Sequence, residues 1–370
     1  MTQYDSEADR AGAVREIELT LQAIWEDLLE TEVGPDDDFF DLGGYSLLVV
    51  NVVGAARKAG LALRAEDIFE HRTVAALASA LLSGAPAPEA GAGAPAGDGQ
   101  GVLTTEEVWR TAASPWDGEA SRCLVPLAPD GEGEPFFCVH VGTGNIRIVE
   151  SVVDAWRAGR PFYGFEAPGY RDQVRPLTSI SAMAERYLVE LRALQPHGPY
   201  FLGGLCQGGL VAFEMARRLR AAGEEVRAVV LVNPPSQVSL VNPGWGLDEL
   251  LRFRLASLKS EWGIDGPADV ERGLRAIGPR LWYDDRVTPA DFYRLQVLWA
   301  AGMFAQEQFE VLPYAGRVIA FARSAKKEEM GLHWTPAVPN LELSWYDSPG
   351  TVPIMLDPAV AEQVSTVLGR

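Results

Sequence analysis

The chain has 370 residues, enough for about two domains, and its 47% apolar and 22% charged residues are typical of soluble globular proteins. A formal net charge of −19 argues against nucleic acid or an anionic membrane as a partner. No apolar run reaches the about 20 residues of a membrane span, and the N-terminus lacks the basic start and apolar core of a signal peptide. We therefore predict a cytoplasmic protein whose three cysteines are reduced and, by their spacing, bind no metal.

The first 83 residues carry helical periodicity. Residues 14–30 place apolar groups at helical spacing with acids between them, which predicts an amphipathic helix. An acidic loop follows, and a second helix runs to about Lys58. Residues 63–82 predict a short helix and then a longer one, so the region is expected to form a small all-α four-helix bundle. Ser46 falls at the start of the second helix, where N-capping alone would explain a serine.

The loop before Ser46 has a more specific pattern, Asp-x-Phe-Phe-Asp-Leu-Gly-Gly-x-Ser-Leu. It closely resembles the attachment site of the peptidyl carrier domains of nonribosomal peptide synthetases, and the match covers residues 12–83. The resemblance implies that Ser46 bears a covalent 4′-phosphopantetheine arm, installed by a phosphopantetheinyl transferase, which carries acyl groups as thioesters. Tyr45 departs from the histidine that is common before the serine. Residues 1–83 hold 16 acidic and 6 basic side chains, a net charge of −10 that suits partner enzymes with basic docking surfaces.

Residues 84–101 are small, rich in proline and glycine, and without bulky apolar groups, which predicts a flexible linker. From residue 102 to 370, apolar strands alternate with amphipathic helices, which predicts a mostly parallel sheet covered on both faces. A long helical stretch between two of the strands, at about 237–310, is rich in large apolar groups and is expected to form a lid. The predicted strands are 135–141, 161–165, 199–202, 226–232, 317–322 and 341–345.

One short segment has the form of a nucleophile elbow, Gly204-Leu205-Cys206-Gln207-Gly208, with cysteine where serine is usual. In that geometry a strand ends in a strained turn, and the side chain is exposed at a helix N-terminus. Unpaired amides and the helix dipole there favour a thiolate. A lone cysteine is otherwise most often a small buried hydrophobe. We predict that Cys206 is a catalytic nucleophile.

Residues from about 120 to 370 resemble an α/β-hydrolase thioesterase of the kind that ends nonribosomal peptide assembly lines. The family's oxyanion loop corresponds to His140-Val141-Gly142-Thr143-Gly144. The resemblance implies an oxyanion hole built from the backbone amides of Val141 or Gly142 and of Gln207. It also implies that His140 shapes the loop rather than acting as a base.

The other two members of the usual catalytic set are replaced. The family's acid corresponds to Asn233, and the family's histidine corresponds to Val352 in Pro349-Gly350-Thr351-Val352. His333, expected in a loop after strand 317–322, is our first candidate for a relocated base, and His140 is the second. Two alternatives stay open: acylation needs no base because the thiol ionises readily, or the site is inactive.

Chemistry favours acyl transfer over hydrolysis at such a site. Moving an acyl group from the carrier's thiol to Cys206 exchanges one thioester for another, so the product stays activated toward amines and thiols. Weak activation of water suppresses hydrolysis. We therefore predict that a peptidyl or aminoacyl group is released by cyclisation, for example to a strained lactam or lactone, or by acyl transfer.

The alternatives are a freestanding aminoacyl shuttle between carrier proteins, hydrolytic release, and a catalytically dead docking module. The predicted partners are upstream synthetase modules or other carrier proteins.

Overall fold

The structure is a computed structural model that describes residues 7–29, 31–40, 42, 49, 52–53, 55–56, 59–83, 104–105, 122–171, 174–235, 245–262, 264, 269–270, 289–347 and 351–369. The chain divides into two compact units. One comprises Met1–Leu103 and Ser239–Asp269, and the other comprises Thr104–Val238 and Val270–Arg370. The predicted linker at 84–101 lies outside the described residues.

The described helices are, in chain order, α1 Glu7–Leu29, α2 Ala65–Glu70, α3 Val74–Leu82, α4 Arg147–Glu150, α5 Val153–Trp156, α6 Ile180–Leu194, α7 Gln207–Ala221, α8 Leu247–Trp262, α9 Pro289–Glu307, α10 Lys327–Ala337, α11 Thr351–Leu356 and α12 Pro358–Gly369. The strands are β1 Leu124–Ala128, β2 Phe136–Val139, β3 Phe162–Phe165, β4 Tyr200–Leu205, β5 Val226–Val232, β6 Val318–Arg323 and β7 Leu341–Tyr346.

The first unit contains α1, α2 and α3, together with α8. Trp25 of α1 is fully buried and packs edge-on against Phe39, with ring centroids 4.8 Å apart. The loop that contains Phe39 is joined to the start of α3 by a bridge between Asp38 and Thr73. The second predicted helix lies largely outside the described residues, although those that are described within it, such as Val49, are helical. The N-terminal region is therefore helical, and the count of four helices stays a prediction.

The second unit is built on a seven-stranded sheet in the order β1-β3-β2-β4-β5-β6-β7. All neighbouring pairs are parallel except β1 with β3, which confirms the predicted mostly parallel sheet. Successive residues of a strand face opposite sides. In β5, Val229 and Leu231 belong to the core under α6 and α7, whereas Val230 and Val232 belong to the core under α5 and α12. The sheet thus has an apolar core on each face.

Two elements differ from the expectation. The edge strand β1 was not predicted, and its Pro126 lies at a strand position that only an edge tolerates. Residues 327–337 form α10 where we expected a loop. Burial explains this helix, because Met330 and Trp334 lie one turn apart and are both fully buried in the core. That packing outweighs the poor helix propensities of Gly331 and Pro336.

Candidate functional site

Cys206 lies between the last residue of β4 and the first residue of α7, with φ 52° and ψ −124°. A positive φ is rare for a residue with a β-carbon and marks a strained turn. The Cys206 N–H donates a 2.8 Å hydrogen bond to Val232 O, which ties the turn to the end of β5. The Cys206 side chain is half-buried, whereas Cys123 and Cys138 are buried. Burial raises the pKa of the Cys138 thiol. Cys206 is therefore the most exposed of the three cysteines.

The two glycines that frame the cysteine are required by close backbone contacts. A β-carbon at Gly204 would lie 2.1 Å from Gly208 O, and one at Gly208 would lie 2.0 Å from His140 O. Both distances are far below van der Waals contact, so no larger residue fits without a backbone shift. The first turn of α7, the end of β4 and the segment after β2 are thereby in direct contact.

The predicted oxyanion residues adjoin the elbow. Val141 to Gly144 form a tight turn after β2, closed by a 2.9 Å bond from Gly144 N to Val141 O. The Gly208–His140 contact holds this turn against the start of α7. The first N–H groups of a helix have no partner within the helix. The turn that contains Val141 and Gly142 therefore adjoins the N-terminus of α7, where Gln207 follows Cys206.

His140 is fixed as a neutral imidazole. Its Nδ1 is 2.6 Å from Val141 O, and its Nε2 is 2.7 Å from the Tyr187 hydroxyl. A carbonyl only accepts, so Nδ1 carries the proton, and Nε2 accepts the Tyr187 O–H. Burial lowers the pKa of His140 from 6.5 to about 4. Both ring nitrogens are occupied by these hydrogen bonds, which fix the orientation of the ring beside the turn.

Asn233 lies at the end of β5, beside the nucleophile. Leu205 pairs with Val232 in the parallel register, which sets Asn233 opposite Cys206 where the strands end. The Asn233 side chain is 7% exposed, and its Nδ2 donates a 3.0 Å hydrogen bond to Thr351 Oγ1. Its Oδ1 is buried and has no partner among the described residues. Thr351 is the first residue of α11, so the helix that includes residue 352 is tied directly to Asn233.

His333 lies in α10 and is half-buried. Its neighbour Trp334 is buried and donates Nε1–H to Pro235 O at 3.0 Å. None of the four histidines, all of which the structure describes, forms a hydrogen bond with Cys206. The structure thus brings Cys206, Asn233 and the predicted oxyanion amides together, and it records no hydrogen bond between Cys206 and His333.

Two further side chains at this site were missed by the sequence analysis. Thr351 was seen only as a neighbour of Val352, and Gln207 was considered only for its backbone amide. The Gln207 side chain is 2% exposed, and its Nε2 has no partner among the described residues. No sequence pattern marks either contact, because both depend on segments that are distant in the chain.

Ser46 lies outside the described residues, but its flanks are anchored. Phe39 before it and Val49 after it are fully buried. Asp38 at the start of the loop forms a 2.8 Å ion pair with Arg72. In the described part of the chain, no cluster of histidine, cysteine and acidic residues is suited to a metal ion. None of the helices described is both long and apolar enough to cross a membrane.

Two domain families match the chain. The phosphopantetheine attachment site matches residues 20–81, and the thioesterase domain matches residues 134–265. The chain contains a carrier domain and a thioesterase domain. The carrier domain is the site of covalent 4′-phosphopantetheine attachment.

Similar proteins are much longer. Malpinin synthetase of Mortierella alpina is 34% identical over 229 residues, which are 61% of this chain and 3% of that protein. Malpibaldin synthetase of the same organism is 32% identical over 317 residues, 85% of this chain and 5% of that protein. A crystal structure of a four-domain nonribosomal peptide synthetase bound to AMP and glycine aligns with 99% of this chain and 26% of its own, with a TM-score of 0.54 and 22% identity. That likeness shows the fold. The chain thus spans a small fraction of the length of these relatives.

Proposed function

We propose that the thioesterase domain takes a peptidyl or aminoacyl group from the carrier arm on Ser46 onto Cys206, and releases it by cyclisation or acyl transfer. The observation that carries the proposal is the strained elbow that presents the Cys206 thiol with no base hydrogen-bonded to it. A thiol needs less activation than a serine hydroxyl at the same position. In this proposal 84–101 is the linker between carrier domain 12–83 and thioesterase domain 102–370, with a lid at about 237–310.

Acylation exchanges one thioester for another. The bound arm supplies the acyl group as a thioester, whose sulfur is the leaving group. Cys206 Sγ, as a thiolate, attacks the thioester carbonyl, the C–S bond to the arm breaks, and the departing thiolate takes a proton. In this proposal the N–H groups of Gln207 and of Val141 or Gly142 stabilise the oxyanion of the tetrahedral intermediate.

Release depends on which nucleophile reaches the acyl-enzyme. Water is a poor nucleophile without a base, and the Nε2 lone pair of His140 is already taken by Tyr187. An amine within the acyl chain, or on an acceptor molecule, attacks a thioester without such help. The hydrogen bond from Asn233 to Thr351 holds the start of α11, the helix that includes residue 352, at the end of β5. These features favour aminolysis or ring closure over hydrolysis, and they favour no role for His333.

The test uses the full chain, with its carrier domain loaded with a peptidyl phosphopantetheine. We expect intact-protein mass spectrometry to detect an acyl adduct on Cys206 that is absent in Cys206→Ala. We expect the released product to be cyclised or transferred to an added amine. A predominantly linear acid would support hydrolytic release instead. A loaded carrier that never yields an adduct would identify a dead docking module.

A further inference from the structure

One face of α9 covers the candidate site. Arg294, Leu298 and Gly302 are spaced by four residues and so lie on the same side of the helix. Arg294 donates hydrogen bonds to Gly169 O and, at 3.0 Å, to Tyr170 O, in the loop after β3. This buried side chain anchors the N-terminal half of α9 to the sheet unit.

The other two residues of this face reach the next two strand ends. Leu298 packs on the turn after β2, where a β-carbon at Gly144 would lie 2.5 Å from Leu298 Cδ2. Gly302 packs on Gln207, the residue after the nucleophile. The strands β3, β2 and β4 are consecutive in the sheet. Four residues of a helix advance about 6 Å along its axis, and neighbouring strands lie about 4.8 Å apart. Each successive turn of α9 therefore meets the carboxyl end of the next strand in the sheet.

Gly302 leaves room for the Gln207 carboxamide between α9 and the elbow. A β-carbon at residue 302 would lie 2.8 Å from Gln207 Oε1 and 2.9 Å from its Nε2. The side chain is 2% exposed, and Nε2 has no partner among the described residues. A buried amide nitrogen without a partner is unfavourable unless a ligand accepts its hydrogen bond.

We propose that the Gln207 side chain recognises a peptide group of the acyl chain on Cys206, which makes it a specificity-determining residue for peptidyl over alkyl acyl groups. The inference rests on the proposed function. A carboxamide offers one donor and one acceptor in a plane, which matches the C=O and N–H of an amide. In a peptidyl thioester the first amide is one residue from the reacting carbonyl, about 3.8 Å along the chain.

The experiment compares two soluble pantetheine thioesters of equal length with the full chain. The acetylglycyl thioester contains one amide, and the pentanoyl thioester replaces that amide with two methylenes. The rate of acyl-Cys206 formation is followed by intact-protein mass spectrometry. We expect the wild type to favour acetylglycyl by about 10-fold, because a site that hydrogen-bonds its substrate discriminates against the analogue that lacks the group.

Two variants remove the recognition by different routes. Gln207→Leu deletes the carboxamide and keeps the backbone N–H. Gly302→Ala displaces the carboxamide with a methyl group, while alanine favours the helix over glycine. We expect both to reduce the preference for acetylglycyl to less than about 3-fold, with the loss falling on the acetylglycyl rate. A structural defect would lower both rates equally.

Two matched controls should keep the wild-type preference. Gly331→Ala makes the same change in α10, where nothing lies within 4 Å of the new methyl group. Gln306→Leu removes another buried carboxamide whose Nε2 has no partner among the described residues, one turn beyond Gly302. A wild-type preference that persists in Gln207→Leu and Gly302→Ala, or a wild type without preference, overturns the inference and leaves the proposed function standing. Failure of both thioesters to acylate Cys206 overturns the proposed function itself.

Discussion

Asn233 donates a 3.0 Å hydrogen bond from Nδ2 to Thr351 Oγ1 and so joins the end of β5 to the start of α11. By resemblance, the acid and the base of a thioesterase would stand at residues 233 and 352. An amide and a hydroxyl hold the two elements together here, and neither group accepts a proton from water at neutral pH. Under the proposed function, this contact joins the two elements without supplying a general base for hydrolysis.

Replacing Thr351 with valine should destabilise the thioesterase domain. Thr351→Val keeps the shape of the side chain but leaves Asn233 Nδ2 buried without a partner. The expected loss in free energy of unfolding is about 1–3 kcal/mol, measured by urea denaturation. Thr335→Val is the control, because the Thr335 hydroxyl makes only a long 3.4 Å contact to Met330 O. Equal losses in the two variants would show that the Asn233–Thr351 hydrogen bond contributes no more to the free energy of unfolding than the Thr335 contact does.

Restoring the usual acid and base should redirect the product toward hydrolysis. In the double variant Asn233→Asp/Val352→His, an imidazole on α11 can be oriented by a carboxylate at the end of β5. General-base catalysis contributes about 10²–10⁴-fold in enzymes, so we expect at least about a tenfold rise in linear acid relative to cyclised or transferred product. Product analysis after loading the carrier domain measures this ratio.

The two single variants separate this effect from general damage. Each lacks one partner, and we expect less than about a twofold change in the product ratio. In the double variant, the gain should increase as the pH rises through about 6.5, where an ordinary histidine loses its proton. A double variant that still acylates Cys206 but forms no more acid would refute the idea that a missing base suppresses hydrolysis.

The fold could be predicted from the sequence wherever residues that are contiguous in the chain carry the pattern of a strand or a helix. A parallel strand buried on both faces is a continuous apolar run, as in Val226–Val232, and the alternation of such runs with amphipathic helices indicates the sheet. The edge strand β1 lacks that signal because its residues are only partly buried. Helix α10 was missed because its stability comes from Trp334 packing on Phe213, a contact between distant segments.

The candidate site, too, could be predicted only where its residues are contiguous in the sequence. The elbow around Cys206 is contiguous in sequence, so its strand, turn and helix could be predicted from Gly204 to Gly208. Thr351 bonds to a residue 118 positions away, and Gln207 meets Gly302 across the sheet unit. Such pairings are determined by how the elements pack, and no short motif encodes them. His333 was proposed as the base from its expected place after strand 317–322, and the structure records no hydrogen bond between His333 and Cys206.

Replacing the nucleophile with serine should slow acylation sharply. A serine hydroxyl needs a base to become a nucleophile, and none of the four histidines forms a hydrogen bond with residue 206. We expect Cys206→Ser to form the acyl adduct at least about 100-fold more slowly than the wild type. Intact-protein mass spectrometry over time gives the rate, with Cys206→Ala as the background. A serine variant that acylates at the wild-type rate would reveal an unrecognised base.

His140 should make stability depend on pH. Burial lowers its pKa from 6.5 to about 4, so between these values the unfolded chain binds a proton that the folded chain does not. The stabilisation is complete above about pH 6.5 and is lost as the pH falls toward 4. Since each pKa unit corresponds to about 1.4 kcal/mol, the loss between pH 7 and pH 4.5 is about 2–3 kcal/mol.

The substitution His140→Gln removes this titration, so the stability difference between wild type and variant should shrink by about that amount as the pH is lowered from 7 to 4.5. Urea denaturation at the two pH values measures the difference and cancels the contributions of the carboxylates. Thr335→Val is the control, because it alters no titratable side chain and removes only a long 3.4 Å contact, and its difference from wild type should stay constant. A difference that does not change with pH for His140→Gln would mean that the buried imidazole is protonated in the folded state, and that Tyr187 does not donate to it.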